Sequence, residues 1–238
     1  MRFLRGFLDN DSVFGQLMTR CGILIAANLL FVLSLLPVVT AGAGYAALYF
    51  TLLTCLREQT CNPFTTFWKG FKSNFKQGTL CFLALLALGA VLWLEIGWCD
   101  QFEGAMALFR YPLMAMGIAV IVLACYLFPV MAAFRVNFKQ LLMDSVYFAV
   151  KRPVTTVGML IANIVPMAVT YLDRGNLPTY AFLWVLCGFA VITMFNASML
   201  LKSFAPYLEQ KEKEASAPGE GHVQTEEEIL SDMEKLGT

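Results

Sequence analysis

Residues 79–98 have the sequence TLCFLALLALGAVLWLEIGW, a run of 20 residues in which Glu95 is the only charged side chain. A helix that crosses the hydrocarbon core of a bilayer needs about 20 predominantly apolar residues. The run therefore predicts a membrane-spanning helix. The whole chain of 238 residues has the same character, since 58% are hydrophobic and 14% are charged, whereas soluble domains carry about 25% charged residues. This composition excludes a disordered chain, a secreted disulfide scaffold and an ordinary soluble enzyme.

Further apolar segments on both sides of this run predict an all-α integral membrane protein. Four of them are long enough to cross a bilayer as helices, and they cover residues 21–39, 112–134, 154–171 and 179–201. A sixth segment, 42–56, has only 15 residues. At a rise of ~1.5 Å per residue it covers about 22 Å, which is less than the ~30 Å core. It either crosses with help from its ends or is re-entrant.

The distribution of basic residues decides between these alternatives. Six crossings place 12 basic residues on one side, namely Arg2, Arg5, Arg20, Arg57, Lys69, Lys72, Lys76, Arg135, Lys139, Lys151, Arg152 and Lys202. The other side receives only Arg110 and Arg174. Basic residues concentrate in cytoplasmic loops, so the pattern predicts six crossings with both termini in the cytoplasm. A re-entrant 42–56 would move three lysines to the side poor in basic residues.

The net charge of zero is the sum of two unlike parts. Residues 1–208 carry 14 Lys and Arg against 8 Asp and Glu, a balance of +6, while residues 209–238 carry 3 against 9, a balance of −6. We therefore predict a membrane domain over 1–208 and an acidic, largely disordered cytoplasmic tail over 209–238. Within the tail, Thr225 and Glu228 match a capping box and predict a short helix over 225–236.

Three amphipathic stretches, 11–20, 63–77 and 137–152, each precede a pair of apolar segments and predict three cytoplasmic amphipathic helices. The echo of residues 11–14 in residues 144–147 suggests a threefold repeat of helical hairpins. The stretch 63–77 has an aromatic face and a lysine face, formed by Phe64, Phe67, Trp68, Phe71 and Phe75 and by Lys69, Lys72 and Lys76. Such a helix either lies against anionic lipid or docks a cytoplasmic partner.

Polar residues inside apolar spans are candidate sites, because burying a polar group in hydrocarbon is costly. The sequence places Asn28, Asn163 and Asn196 inside spans, where hydrogen bonds between helices are the simplest interpretation. Glu95 lies between Trp93 and Trp98. Tryptophans favour the membrane–water interface, so we expect Glu95 to be hydrated.

The sequence predicts no catalytic, cofactor-binding or metal-binding residues, and no enzymatic activity. Its only histidine is His222 in the polar tail, and its seven cysteines are scattered without a C-x-x-C pair, which argues against a zinc site or a disulfide framework. Glycine-rich phosphate-binding motifs are absent from the sequence. Aromatic and basic residues do occur together in 63–77, but a lipid bilayer explains them without nucleic acid.

Residues 7–80 resemble the YesL family of small bacterial membrane proteins. The resemblance rests on Asn28, on LPVVTAGA at 36–43, on ALY at 47–49 and on the aromatic-basic segment that ends in FKSNFKQ at 71–77. The matching motif positions are Asn28, Pro37, Thr40, Gly42, Tyr49, Phe71, Lys72, Asn74 and Lys76. The resemblance carries no catalytic residue over to this chain.

The resemblance implies a multi-pass protein of the bacterial cell membrane that is accessory to carbohydrate uptake. We expect its partners to be the lipid bilayer and subunits of an ABC-type sugar transporter. The chain lacks the E-A-A…G loop by which importer permeases receive their ATPase, so a pore-forming role in such an importer is not expected. Two alternatives are an autonomous small-solute transporter using Asn28, Asn163, Thr40 and Tyr49, and an assembly or signalling scaffold using the tail. The sequence indicates neither a substrate nor an oligomeric state.

Overall fold

The computed structural model describes residues 13–58, 61–99, 101–102, 108–134 and 136–216. Its α-helices are α1 (Val13–Ser34), α2 (Ala41–Arg57), α3 (Pro63–Cys99), α4 (Arg110–Ala133), α5 (Phe138–Lys151), α6 (Pro153–Leu172), α7 (Leu177–Leu183) and α8 (Phe189–Ser216). Short 3₁₀ turns cover Val38–Thr40 and Arg174–Asn176. A π-helical turn covers Trp184–Gly188. No strand occurs in these ranges.

Six helical segments are long and apolar enough to cross a membrane, which confirms the predicted all-α fold with six spans. They are Leu17–Ser34, Val38–Arg57, Pro63–Cys99, Arg110–Ala133, Pro153–Leu172 and Arg174–Lys202. The sixth segment is composite, since α7 and α8 join through the π-turn. These spans indicate a multi-pass membrane protein.

The first span ends earlier than the sequence predicts. α1 stops at Ser34, whereas the apolar run continues to Val39, because Pro37 disfavours a helical conformation in the residue before it. The Thr40 hydroxyl then holds the turn, because its oxygen lies 2.6 and 2.8 Å from the carbonyl oxygens of Ser34 and Pro37, which share its single hydrogen. Thr40 thus fixes the connection to α2.

Two of the predicted amphipathic helices are not separate helices. The stretch 63–77 and the span 79–98 form one uninterrupted α3 of 37 residues, and the described part of 11–20 belongs to α1. The stretch 137–152 alone forms a helix of its own, α5. The threefold repeat remains a prediction, although its three units begin differently.

α2 is the central helix of the bundle. Most of its residues are buried, including Ala43, Ala47 and Leu48, and it contacts the basic half of α3 along a stripe of small residues. A β-carbon added to Gly42 would lie 2.3 Å from the carbonyl oxygen of Gly78, so these two backbones touch. Protein encloses α2, and its 17 residues therefore need not match the thickness of the lipid core.

Two compact units divide the chain, Met1–Leu200 and Leu201–Thr238. α8 extends through Ser216, so residues 210–216 of the tail that the sequence predicts to be largely disordered are helical. Glu, Gln, Lys and Ala are strong helix formers, which explains the extension. The rest of the acidic tail, including the predicted helix over 225–236, lies outside the described residues.

One disulfide is present where the sequence analysis expects no disulfide framework. Cys55 at the end of α2 bonds to Cys61 just before α3, with their Cα atoms 5.4 Å apart. The other cysteines, Cys21, Cys81, Cys99, Cys125 and Cys187, are free.

The contact between Gly42 and Gly78 leads to a stability prediction. We expect Gly42→Ala to lower the free energy of unfolding by about 1–3 kcal/mol, the usual cost of overpacking a tight contact, because the new methyl group collides with backbone. Unfolding by SDS titration in mixed micelles measures the change.

Gly89→Ala is the matched control. Gly89 lies in α3 with nothing within 4 Å of an added β-carbon, so its substitution should leave stability unchanged or slightly raised. Equal effects of the two substitutions would contradict close packing of α2 on α3.

Candidate functional site

Asn28 joins α1 to the π-turn in the sixth span. Its side chain is fully buried. The Nδ2 amide donates to the carbonyl oxygens of Trp184 and Val185, at 3.0 and 2.7 Å. The Oδ1 atom accepts the backbone N–H of Ala190 at 2.8 Å. One side chain therefore pairs with three backbone groups on another helix.

These three bonds explain how the helix tolerates a π-turn. A π-turn changes the backbone register from i→i+4 to i→i+5, so carbonyl and amide groups at its borders lose their regular partners. Buried backbone groups without partners are costly, above all in lipid. Asn28 carries both a donor and an acceptor, and its amide satisfies the groups on both borders of Trp184–Gly188.

A second set of buried polar groups lies where α2 faces α8. We call Tyr45, Tyr49, Thr193 and Asn196 the buried polar cluster. Asn196 Nδ2 donates to the Tyr49 hydroxyl at 3.2 Å, and the rings of Tyr45 and Tyr49 meet edge to face with centroids 5.0 Å apart. Within the described part of the chain, Asn196 Oδ1 is buried without a hydrogen-bond partner, whereas the Thr193 side chain interacts with the Tyr45 hydroxyl.

The sequence analysis missed Tyr45 and Thr193. A signal was available, because Tyr45 and Tyr49 are four residues apart on one helix and Thr193 and Asn196 are three apart on another, so each pair shares a helical face. The pairing of the two faces depends on the tertiary structure, which no local pattern contains.

The remaining intramembrane candidates lie apart from these groups. Asn163 Nδ2 donates to the carbonyl oxygen of Met159 in its own helix, at 2.7 Å. Glu95 is exposed and borders a cleft with Trp98, Phe109 and Pro112. Of the four intramembrane candidates, Asn28 contacts the composite sixth span and Asn196 lies within it. Asn163 and Glu95 lie elsewhere.

The aromatic-basic part of α3 has one buried face and one exposed face. Phe67, Gly70, Asn74 and Gly78 are buried, and Asn74 Nδ2 donates within the helix to the carbonyl oxygen of Gly70 at 3.0 Å. Exposed residues on the other side are Phe64, Trp68, Lys69, Lys72, Phe75 and Lys76. We call this exposed set the aromatic-basic face.

The other motif positions have structural roles or lie at the surface. Phe71 is half-buried and joins the two faces, because its ring contacts Trp68 and Phe75 on the exposed face at centroid distances of 5.4 and 5.5 Å and Phe67 on the buried face at 6.3 Å. Pro37 is exposed in the turn before α2. In the described ranges, no group of three or more His, Cys, Asp and Glu side chains is placed to hold a metal ion.

The fold defines a multi-pass helical membrane protein in which Asn28 and Asn196 hydrogen-bond between helices, whereas Asn74 and Asn163 bond within their own helices. Residues 24–96 match the family model described as "Protein of unknown function, DUF624". This segment begins just before Asn28 and includes all of α2 and most of α3. Neither the curated proteins nor the solved structures contain a match to the chain.

The role of Asn28 leads to a second stability prediction. Asn28→Leu leaves the Trp184 and Val185 carbonyls and the Ala190 amide without this partner. Because an unpaired buried group costs about 1–3 kcal/mol, we expect a loss of about 2–4 kcal/mol after partial relaxation. SDS unfolding measures the loss, and amide hydrogen exchange should show faster exchange across 184–190.

Asn163→Leu removes the same amide from a span, but only a bond within its own helix. It should change stability by less than about 1 kcal/mol and leave exchange at 184–190 unaltered. A comparable loss in both variants would refute the assignment of Asn28 as the partner of the π-turn.

Proposed function

We propose that this chain is a non-enzymatic, YesL-type component of the bacterial cell membrane that assists carbohydrate uptake by contacting a subunit of an ABC-type sugar transporter. The resemblance over residues 7–80 supplies the link to carbohydrate uptake. The proposed orientation places both termini and the aromatic-basic face in the cytoplasm, in agreement with the excess of basic residues on that side.

The aromatic-basic face is the observation that carries this proposal. Trp68 is 53% exposed and Phe64 is 57% exposed, while the opposite side of the same helix is fixed against α2. Aromatic residues and arginine are enriched at the centres of protein interfaces. A rigidly held aromatic surface with a lysine border suits a partner that offers an apolar pocket and acidic residues.

The length of α3 argues against the alternative that this face simply lies on lipid. Its 37 residues extend about 55 Å, whereas the hydrocarbon core is ~30 Å thick. Even a tilt of about 40° leaves roughly ten residues outside the core. The lysine-bearing end is the part that belongs outside. Because α3 has no break there, this end continues along the direction of the span rather than turning into the plane of the interface.

Photo-crosslinking in living cells tests the proposal. A photoreactive phenylalanine analogue at position 68 should give covalent adducts with a transporter subunit, identified by mass spectrometry, in cells grown on a carbohydrate that requires uptake. Position 86 is the matched control, because Leu86 is 52% exposed on the lipid-facing half of the same helix.

We expect the analogue at position 86 to yield lipid adducts or none. Absence of a protein adduct at position 68, or identical adducts at both positions, would contradict docking through the aromatic-basic face.

A second candidate function is autonomous transport of a small neutral solute. The buried polar cluster supports it, because Asn196 Oδ1 has no hydrogen-bond partner and the hydroxyl group of a passing solute would satisfy it. Sugars are recognised by such neutral groups together with aromatic rings. A scaffold role for the acidic tail is a third proposal, and the tail residues after Ser216 lie outside those described.

Flux into proteoliposomes that contain only this protein separates transport from an accessory role. If the cluster conducts solute, Asn196→Leu should reduce the uptake of labelled sugars at least about tenfold, since a buried polar partner is worth roughly 1–3 kcal/mol. Asn163→Leu should leave uptake unchanged. Absence of flux for a broad sugar panel in the unmodified protein would rule out the transporter.

A further inference from the structure

An open groove of about 730 Å³ lies at the end of the bundle opposite the aromatic-basic face, where α6 approaches the composite sixth span. Its walls include Met167, Thr170, Tyr171, Arg174, Trp184 and Phe189. Trp184 begins the π-turn that Asn28 holds, and Phe189 follows the turn directly. One wall of the groove is therefore formed beside the backbone that Asn28 holds in place.

Two neutral polar groups of the groove, the Trp184 indole N–H and the Thr170 hydroxyl, are already paired with each other. Trp184 Nε1 donates to Thr170 Oγ1 at 3.0 Å, and Thr170 Oγ1 donates to the carbonyl oxygen of Pro166 at 2.8 Å. A bound molecule consequently meets apolar and aromatic surface along the length of the groove. Arg174 supplies the charge at its rim.

The charge at the rim is held in place. The Arg174 guanidinium stacks over the Tyr171 ring, 4.9 Å from its centroid. The neighbouring Asp173 accepts hydrogen bonds from Asn176 Nδ2 and from the Tyr180 hydroxyl, both at 3.0 Å. These bonds, first that of Asn176 and then that of Tyr180, lower the pKa of the Asp173 carboxyl below its ordinary value. The Asp173 carboxylate thus stabilises the turn in which it lies.

We propose that this groove binds an anionic membrane phospholipid, with an acyl chain along Met167, Trp184 and Phe189 and the headgroup phosphate at Arg174. The chemistry is complementary at both ends, since an apolar trough takes the chain and one guanidinium at the rim takes the phosphate. Arginine is well suited to phosphate because its planar fork donates two parallel hydrogen bonds. The site is independent of the uptake function proposed above.

A soluble sugar fits this groove poorly. Each hydroxyl group of a sugar needs a partner when it leaves water, and the indole N–H and the threonine hydroxyl are occupied. A lipid requires only one polar contact. Arg174 is the first residue of the candidate span Arg174–Lys202 and follows the end of Pro153–Leu172 by two residues, which also places it at the depth of lipid headgroups.

Fluorescence quenching tests the site in the full-length protein. The chain has four tryptophans, and replacing Trp68, Trp93 and Trp98 with Phe leaves Trp184 as the only reporter. This variant is reconstituted into nanodiscs that contain equal fractions of brominated phosphatidylglycerol or brominated phosphatidylcholine. We expect quenching to be about two- to fivefold stronger with the anionic lipid, the preference that one basic side chain confers near the membrane surface.

Substitutions at the two outer arginines distinguish a specific site from a general charge effect. Arg174→Gln should abolish the headgroup preference, and Arg174→Lys should restore part of it. Arg110→Gln is the matched control, because Arg110 also stacks on a tyrosine, 5.0 Å from the Tyr111 centroid, but does not line this groove. It should leave the preference intact.

Each other outcome overturns the proposal. Equal quenching by the two lipids shows that the headgroup is not recognised, and absence of quenching by either shows that no chain occupies the groove. A preference that survives Arg174→Gln, with the Trp184 emission maximum unchanged as evidence of folding, assigns recognition elsewhere. If Arg110→Gln also loses the headgroup preference, the preference reflects the net charge of the protein and not this groove.

Discussion

The hydrogen bonds from Asn28 to the π-turn are the constraint on which the arrangement of the bundle depends. They join residues 28 and 184–190, which are far apart in sequence, and they satisfy backbone groups that lipid cannot. The same contact brings α8 against α2, where the side chains of Asn196 and Tyr49 meet. The aromatic contacts of Phe31 with Tyr45 and with Phe189, at centroid distances of 5.7 and 5.2 Å, surround it. The hydrogen bonds of Asn28 and the aromatic contacts around them thus fix α1, α2 and α8 relative to one another.

The close approach of α2 and α3 is a second constraint beside the Asn28 hydrogen bonds. Helices in membranes gain little from the hydrophobic effect, and they associate through small residues that allow dense packing. Gly42, Gly70 and Gly78 each lie against the partner helix where an added β-carbon would be within 3 Å of it. The matched family segment covers the hairpin of α2 and α3 as well as Asn28. It therefore contains both the glycine contacts and the side chain that holds the π-turn. The polar residues that suggest a binding site from sequence therefore contribute first to architecture.

Local sequence predicts the spans well and their partners poorly. The predicted segment 42–56 differs from α2 by one residue at each end, because hydropathy reflects the environment of each residue directly. The sequence does not predict that α3 is continuous, because the polarity of the side chains changes at Gly78 while the helical backbone continues through it. The π-turn is equally hidden within an apolar run, and the partner of Asn28 cannot be inferred from helical periodicity. Tyr45 and Thr193 became candidate site residues only through the tertiary structure.

Because α3 has no internal break, it has a mechanical consequence for the bundle. The contact at Gly78 divides it into a basic arm of about 22 Å and an apolar arm of about 32 Å, at ~1.5 Å per residue. α2 holds the basic arm at Gly70 as well as at Gly78, so the rod moves together with α2 and does not pivot on it. A shift of α2 is thereby carried along the apolar arm to the opposite surface of the membrane.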